Sequence, residues 1–232
     1  GGNIFLNKET HKRVFDEMER RVDYLEEESL KYLALHYSTQ NRDFYPEEIH
    51  HGPPTSVGWH QLHQRYVFGA YEMLNRSHVP LDLAFDEHLT LEHLAPYDLL
   101  FLSNSACLSE AQCETIANYV DGGGTIIATY QSSLLDELGY ERGQFGLEEV
   151  LGVEYVGTHQ EDRAIALVPQ EERLRTEIGD LICMFGREAE IRASAQVDVL
   201  CTRSTLEGEH PMDRFHPERE FDSGEPAVVM NR

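Results

Sequence analysis

The residues able to carry chemistry are few and scattered. Ser132 and Ser133 follow a β-branched run, and the tetrad Phe215-His216-Pro217-Glu218 lies far downstream. A hydroxyl nucleophile needs a base to take its proton and donors to hold the oxyanion. Ser132 or Ser133 with His216 as base is the arrangement of that kind this chain offers, with Glu218 a further weak candidate beside it. Two features weigh against it. The serine turn, Tyr130-Gln131-Ser132-Ser133, lacks the small flanking residues that let a nucleophile stand out on a strained strand-to-helix turn. The residues before His216, Glu207 to Arg214, are charged, include Pro211 and do not read as a strand. The plainer reading is a pair of strand-end serines capping the next turn.

Other candidates fare no better. His50-His51 and the pair His60 and His63 invite a metal, but no cysteine or paired carboxylate stands at ligand spacing, so no metal is expected. Asp136 and Glu137 are adjacent, whereas glycoside hydrolysis needs two carboxyl groups facing one bond. Gly122-Gly123-Gly124 follows a helix and precedes a strand, the reverse of a phosphate-cradling loop. Cys107, Cys113, Cys183 and Cys201 form no CxxC and sit largely in apolar surroundings, as reduced buried thiols do. No cofactor is implied.

The 232 residues carry a net charge of −23, which argues against a nucleic-acid backbone or an anionic membrane surface as partner. No apolar run reaches membrane-spanning length. A cytoplasmic setting is the expectation. Gly1-Gly2 has the look of an expression remnant.

The elements that must position these groups centre on Tyr97 to Tyr130. Leu99 to Leu102 is a continuous apolar run, as a strand buried on both faces would be. Ser109 and Gln112 form a capping box, with Leu108 and Cys113 as a hydrophobic staple. Cys113, Ile116, Ala117 and Val120 mark one buried helix face. The triple glycine ends the helix, and Thr125 to Thr129 is the next strand: a βαβ unit with a right-handed crossover. Upstream, the pattern gives a helix over Thr10 to Glu27, a strand over Leu30 to Tyr37, a long polar loop over Ser38 to Ser56, and an amphipathic helix over Trp59 to Leu74. A strand over Pro80 to Phe85 and a short helix over Leu89 to Leu94 follow. Downstream, Phe145 to Leu151 reads as helix. Ala164 to Val168, Glu190 to Ala193, Val197 to Thr202 and Ala227 to Met230 read as strands that extend the sheet or form an antiparallel edge. The order predicts an α/β fold with an open, mostly parallel sheet between two helical layers. Its ligand crevice would lie at the strand carboxyl ends, where Ser38, Arg42, Asn104, Tyr130, Ser132 and Ser133 fall.

These motifs have a match. Leu99 to Asn104, Leu108-Ser109, Tyr119 to Gly124, Ala128 to Ser133 and Phe145 to Val153 resemble the β-galactosidase trimerisation domain. That is the middle domain of glycoside hydrolase family 42 enzymes. The resemblance implies a flavodoxin-like fold of the class I glutamine amidotransferase type, usually without its catalytic residues. It implies a homo-oligomer, possibly a trimer, with a catalytic barrel upstream in the same chain and a carbohydrate as a possible ligand. The barrel would carry the catalytic glutamates, so this piece alone is expected to be non-catalytic. In the amidotransferases a cysteine stands at the turn matching Tyr130 to Ser133, and none is present here. The Phe215 to Glu218 tetrad resembles their His and Glu motif without its partner. The expected division is a connector helix over 1–29 and an α/β domain over 30–232, with the C-terminal cut in mid-domain. The runner-up readings are an amidotransferase-like hydrolase and a carbohydrate or small-molecule binder.

Overall fold

The computed structural model describes residues 8–25, 28–45, 62–206 and 220–232. Helix α1 (Lys8–Leu25) leads in. The first half then runs β1 (Leu33–Tyr37), α2 (Thr39–Phe44), α3 (Leu62–Arg76), β2 (Leu81–Phe85), a 3-10 turn over Asp86–His88, α4 (Leu91–Leu94), β3 (Leu99–Leu102), α5 (Glu110–Asp121) and β4 (Thr125–Ala128). The four strands are parallel in the order β2-β1-β3-β4. Successive strand residues face opposite sides, so β1, β2 and β3 feed two cores, whereas β4 feeds one and leaves Ile127 exposed. Leu33, Leu35 and Phe101 pack on Val67, Ala70 and Leu74 of α3. Ala34, Leu100 and Leu102 pack on Leu108, Cys113 and Ile116 beside α5. Each fully buried leucine contributes about 1.5–3 kcal/mol.

The capping box of α5 is present: Ser109 Oγ accepts from the Gln112 amide and Gln112 Oε1 from the Ser109 amide. Of the three glycines that end the helix, Gly123 takes the left-handed backbone, at φ 99°. Gly124 is required for a different reason: a Cβ there would lie 2.2 Å from the Tyr119 ring. That ring is buried, and its hydroxyl donates to the Tyr97 carbonyl at 2.9 Å.

The C-terminal half departs from expectation. Its strands do not extend the parallel sheet. They are β5 (Val153–Pro169), β6 (Ile182–Ala193), β7 (Asp198–Leu206) and β8 (Glu220–Met230), a separate antiparallel sheet in the order β6-β5-β7-β8. The strands are longer than the apolar runs that mark them, because half-polar stretches continue the ladder. Register shifts along β5 and β7 bend the sheet. Arg203, 9% exposed, gathers Glu188 at 2.8 Å, Glu190 at 3.2 Å and Glu225. The helix expected over Phe145 to Leu151 is one turn, α6 (Glu148–Leu151), because Phe145 and Leu147 turn inward instead. A further helix, α7 (Glu172–Ile178), joins β5 to β6. Phe145, Leu134 and Val153 pack with Tyr155, Ile191 and Val229, setting the segment after β4 against the antiparallel sheet. No described helix is long and apolar enough to cross a membrane.

Candidate functional site

In a sheet ordered β2-β1-β3-β4 the chain leaves β1 toward one edge and later returns to its other side. The crevice between the carboxyl ends of β1 and β3 is therefore the natural ligand position. Here that place is filled by the protein's own polar side chains. Three of the residues concerned, His36, Asp86 and Ser105, were not singled out in the sequence.

His36, in β1, is fully buried. Its Nδ1 shares a hydrogen bond of 2.8 Å with Ser105 Oγ, the direction set by the ring's tautomer. Its Nε2 lies 3.3 Å from Asp86 Oδ1, long for a hydrogen bond. Asp86 follows β2 and accepts from Ser38 Oγ at 2.9 Å, the Thr39 amide at 2.6 Å and the Gln40 amide at 3.1 Å. Burial pushes its carboxyl up, but the His36 ring, the Thr39 hydroxyl and the Gln40 amide outweigh that. The net effect holds it well below the usual carboxylate range. Ser38 caps α2 by accepting from the Asn41 amide at 3.0 Å. Asn41 then reaches across to the turn after β3. It donates to the Asn104 carbonyl at 2.5 Å and accepts from the Cys107 amide at 2.6 Å.

The loop expected over Ser38 to Ser56 thus begins as α2. The helix carries no apolar stripe to reveal it, because its inward residue, Asn41, is buried by hydrogen bonding rather than by packing. Residues 46–61, with His50, His51, Trp59 and His60, lie outside the described residues.

The turn after β4 is built in the same way. Tyr130 stands at φ 54°, a left-handed backbone that costs a side-chain-bearing residue roughly 1–2 kcal/mol. It occupies the sharp bend where a strand-end nucleophile would be presented, and its ring stacks on Tyr66 with centroids 5.9 Å apart. Ser132 is 2% exposed; its Oγ accepts from the Ser105 amide at 3.0 Å and is held toward the Leu102 and Thr129 carbonyls at 2.9 and 2.8 Å. Ser133 is fully buried, stands at φ 68°, and accepts from the Leu147 amide at 3.2 Å. Asn104, at φ 49° and also fully buried, accepts from the Gln131 amide at 3.2 Å. Arg42 is exposed and paired with Asp43 at 2.7 Å. The strand-end residues Asn104, Tyr130, Ser132 and Ser133 are therefore brought together, with Arg42 at the rim. His216 and Glu218 lie outside the described residues.

Ser105, His36 and Asp86 have the side-chain types of a hydrolytic triad. Their burial argues for another task. Ser105 is 2% exposed and His36 not exposed at all, so a substrate carbonyl has no path to the hydroxyl. What the arrangement does is tie β1, the turn after β2 and the turn after β3 into one network. Among the described residues, no group of three or more His, Cys, Asp and Glu is placed to hold a metal ion. Burial pushes the Cys107 thiol up to about 12 and the Cys113 thiol up to about 11, so neither is a nucleophile near neutral pH.

No sequence-family model matches the chain, and no curated protein matches it in sequence. Solved structures do match in fold. A β-galactosidase from Bacillus circulans sp. alkalophilus is 17% identical with a TM-score of 0.68, over 94% of this chain and 29% of that one. A GH42 β-galactosidase from G. stearothermophilus is 18% identical with a TM-score of 0.62, again over 94% of this chain and 29% of that one. A ThuA-like protein from Bacteroides uniformis is 13% identical with a TM-score of 0.55, over 87% of this chain and 78% of that one. This chain folds as the corresponding portion of those β-galactosidases does, and its flavodoxin-like half agrees with the ThuA-like protein. It spans 29% of the length of either β-galactosidase.

Proposed function

We propose that this chain is a non-catalytic accessory and oligomerisation domain of a β-galactosidase-like glycoside hydrolase. In that reading it holds copies of the protein together, as a trimer in the family it resembles, and helps to shape the active site of an adjoining barrel domain. Helix α1 is the connector from that barrel, and residues 30–232 are the α/β domain. The observation that carries the reading is the strand-end crevice closed from within. His36, Asp86, Ser105 and Asn41 use one another as partners, and a tyrosine stands where a nucleophile would be. The fold shared with β-galactosidases over 94% of the chain supports the setting. Light scattering on the chain, and on the natural protein that carries it, tests the oligomer: a mass of two or more copies is expected, and one copy at every concentration refutes it.

One observation favours a second reading, a hydrolase: the side chains of Ser105, His36 and Asp86 are in sequence with one another. Their burial favours the first. A binder of carbohydrate would have Arg42 and Tyr130 at the rim as its contacts, with Asn104, Ser132 and Ser133 behind them. Calorimetric titration with galactosides separates that case, a saturable heat being its signature.

A further inference from the structure

We infer that the stacked pair His88 and His93 is an acid-sensitive latch that keeps the turn after β2 closed and, through Asp86, keeps α2 on the strand-end rim. The inference stands apart from the accessory-domain reading and does not depend on it. His88 ends the 3-10 turn and His93 lies in α4. Their rings stack with centroids 4.3 Å apart and planes inclined by 16°. Phe85 meets His88 edge-on at 5.6 Å, and Tyr97 lies 6.0 Å from His93. His88 Nδ1 accepts from the Phe85 amide at 3.1 Å. A neutral imidazole that accepts at one nitrogen carries its proton on the other. A second proton on His88 therefore lands on Nδ1, where it ends the bond to Phe85 and sets two donors face to face. Both rings are half-buried. Stacked this closely, two imidazolium rings repel each other. Acid thus works against the closed turn twice, at its cap and at its stack.

The charges around the pair place its response in the histidine range. Lys31 Nζ pairs with Asp82 at 2.9 Å and stands over the Tyr97 ring at 5.5 Å, while the Tyr97 hydroxyl donates to Asp82 at 2.9 Å. Glu87 and Glu92 line the same cleft and are exposed, so solvent screens their attraction for the added protons. Burial, the neighbouring His88 and Lys31 hold His93 below the ordinary histidine value of 6.5, against the pull of Asp82. A base held down in this way binds fewer protons closed than open. Closure is therefore fully favoured above 6.5 and weakens as pH falls from there toward the closed-state value. The opening reaches beyond the cleft. Asp86 begins the turn that His88 ends, and its carboxylate holds Ser38 Oγ and the Thr39 and Gln40 amides. Among the residues of α2 only Asn41 is buried, so the helix has no apolar face to keep it in place when Asp86 shifts.

The test is amide hydrogen exchange of the 232-residue chain, read by NMR as protection relative to the intrinsic rate at each pH. Between about pH 7.5 and about pH 5, protection at the Phe85, Thr39 and Gln40 amides is expected to fall at least about fivefold, the loss of one hydrogen bond. The Arg142 amide, bonded to the Leu134 carbonyl at 3.0 Å away from the cleft, should stay constant. His88→Asn offers Phe85 an acceptor that does not titrate. It should match wild type at the upper pH and show no fall. His93→Phe keeps a ring in the stack without a second titrating group and should fall less than wild type. Wild-type protection that stays flat overturns the inference. So does a fall confined to Phe85, one shared by Arg142, one that His88→Asn reproduces in full, or one that His93→Phe leaves undiminished.

Discussion

Replacing Asp86 separates a structural network from an incidental polar cluster. Asp86 Oδ2 takes the Thr39 and Gln40 amides at 2.6 and 3.1 Å, and Oδ1 takes Ser38 Oγ at 2.9 Å with His36 Nε2 at 3.3 Å. Asp86→Ala removes every one of these acceptors and leaves the donors without partners. Leaving a buried donor without its acceptor costs about 1–3 kcal/mol, so the loss of several together is expected to be large. Asp86→Asn is milder. Its Oδ1 can keep both amides while its NH2 turns to Ser38 and His36, so the loss is that of the charge, about 1–2 kcal/mol. For a chain of this size each kcal/mol lowers the unfolding midpoint by about 2–4 °C. The acid side gives a second readout. The carboxyl's folded pKa lies below its ordinary value of 3.8. It therefore contributes stability that is fully present above that value and is lost as pH falls from it toward the folded pKa. Wild type should lose stability through that window, and Asp86→Asn should lose less. The assay is thermal unfolding by circular dichroism at a series of pH values. An Asp86→Ala midpoint equal to wild type, or an Asp86→Asn acid profile parallel to it, would refute the reasoning.

Other consequences follow from local geometry. Gly124→Ala should cost about 1–3 kcal/mol by forcing the buried Tyr119 ring to move, read as a lower unfolding midpoint and an altered tyrosine environment in near-ultraviolet dichroism. Tyr130→Gly should be more stable than Tyr130→Ala by about 1 kcal/mol, because both lose the stack on Tyr66 but glycine alone relaxes φ 54°; equal midpoints would mean the bend is unstrained. Cys107 and Cys113 should resist alkylation in the folded protein at neutral pH and react once it is unfolded, as site-resolved mass spectrometry would show.

The first half of the fold was legible because apolar spacing and caps carried it. The run Leu99 to Leu102, the Ser109 and Gln112 box and the stripe of α5 each state their element locally. Helix α2 was not legible: its sequence, TQNRDF, has no apolar face, and it exists because Asp86 and Asn104 receive its polar groups from across the sheet. The antiparallel sheet is only partly legible for a related reason. Strands such as β5 run through polar residues whose place is fixed by pairing partners far along the chain. At the site, Asn104, Tyr130, Ser132 and Ser133 were found as strand-end residues, since the strands that deliver them were clear. His36 sits in an apolar strand and Asp86 in a turn, and nothing in their spacing announces that they meet. Their one sequence signal is a histidine inside a strand buried on both faces, which has to find a polar partner.

The central claim is that the strand-end hydroxyls are structural. A fluorophosphonate probe, which phosphonylates activated serines with loss of fluoride, tests this on the folded chain with site-resolved mass spectrometry. The account predicts no label on Ser105, Ser132 or Ser133. Label on any of them that disappears in a folded His36→Ala variant would contradict it.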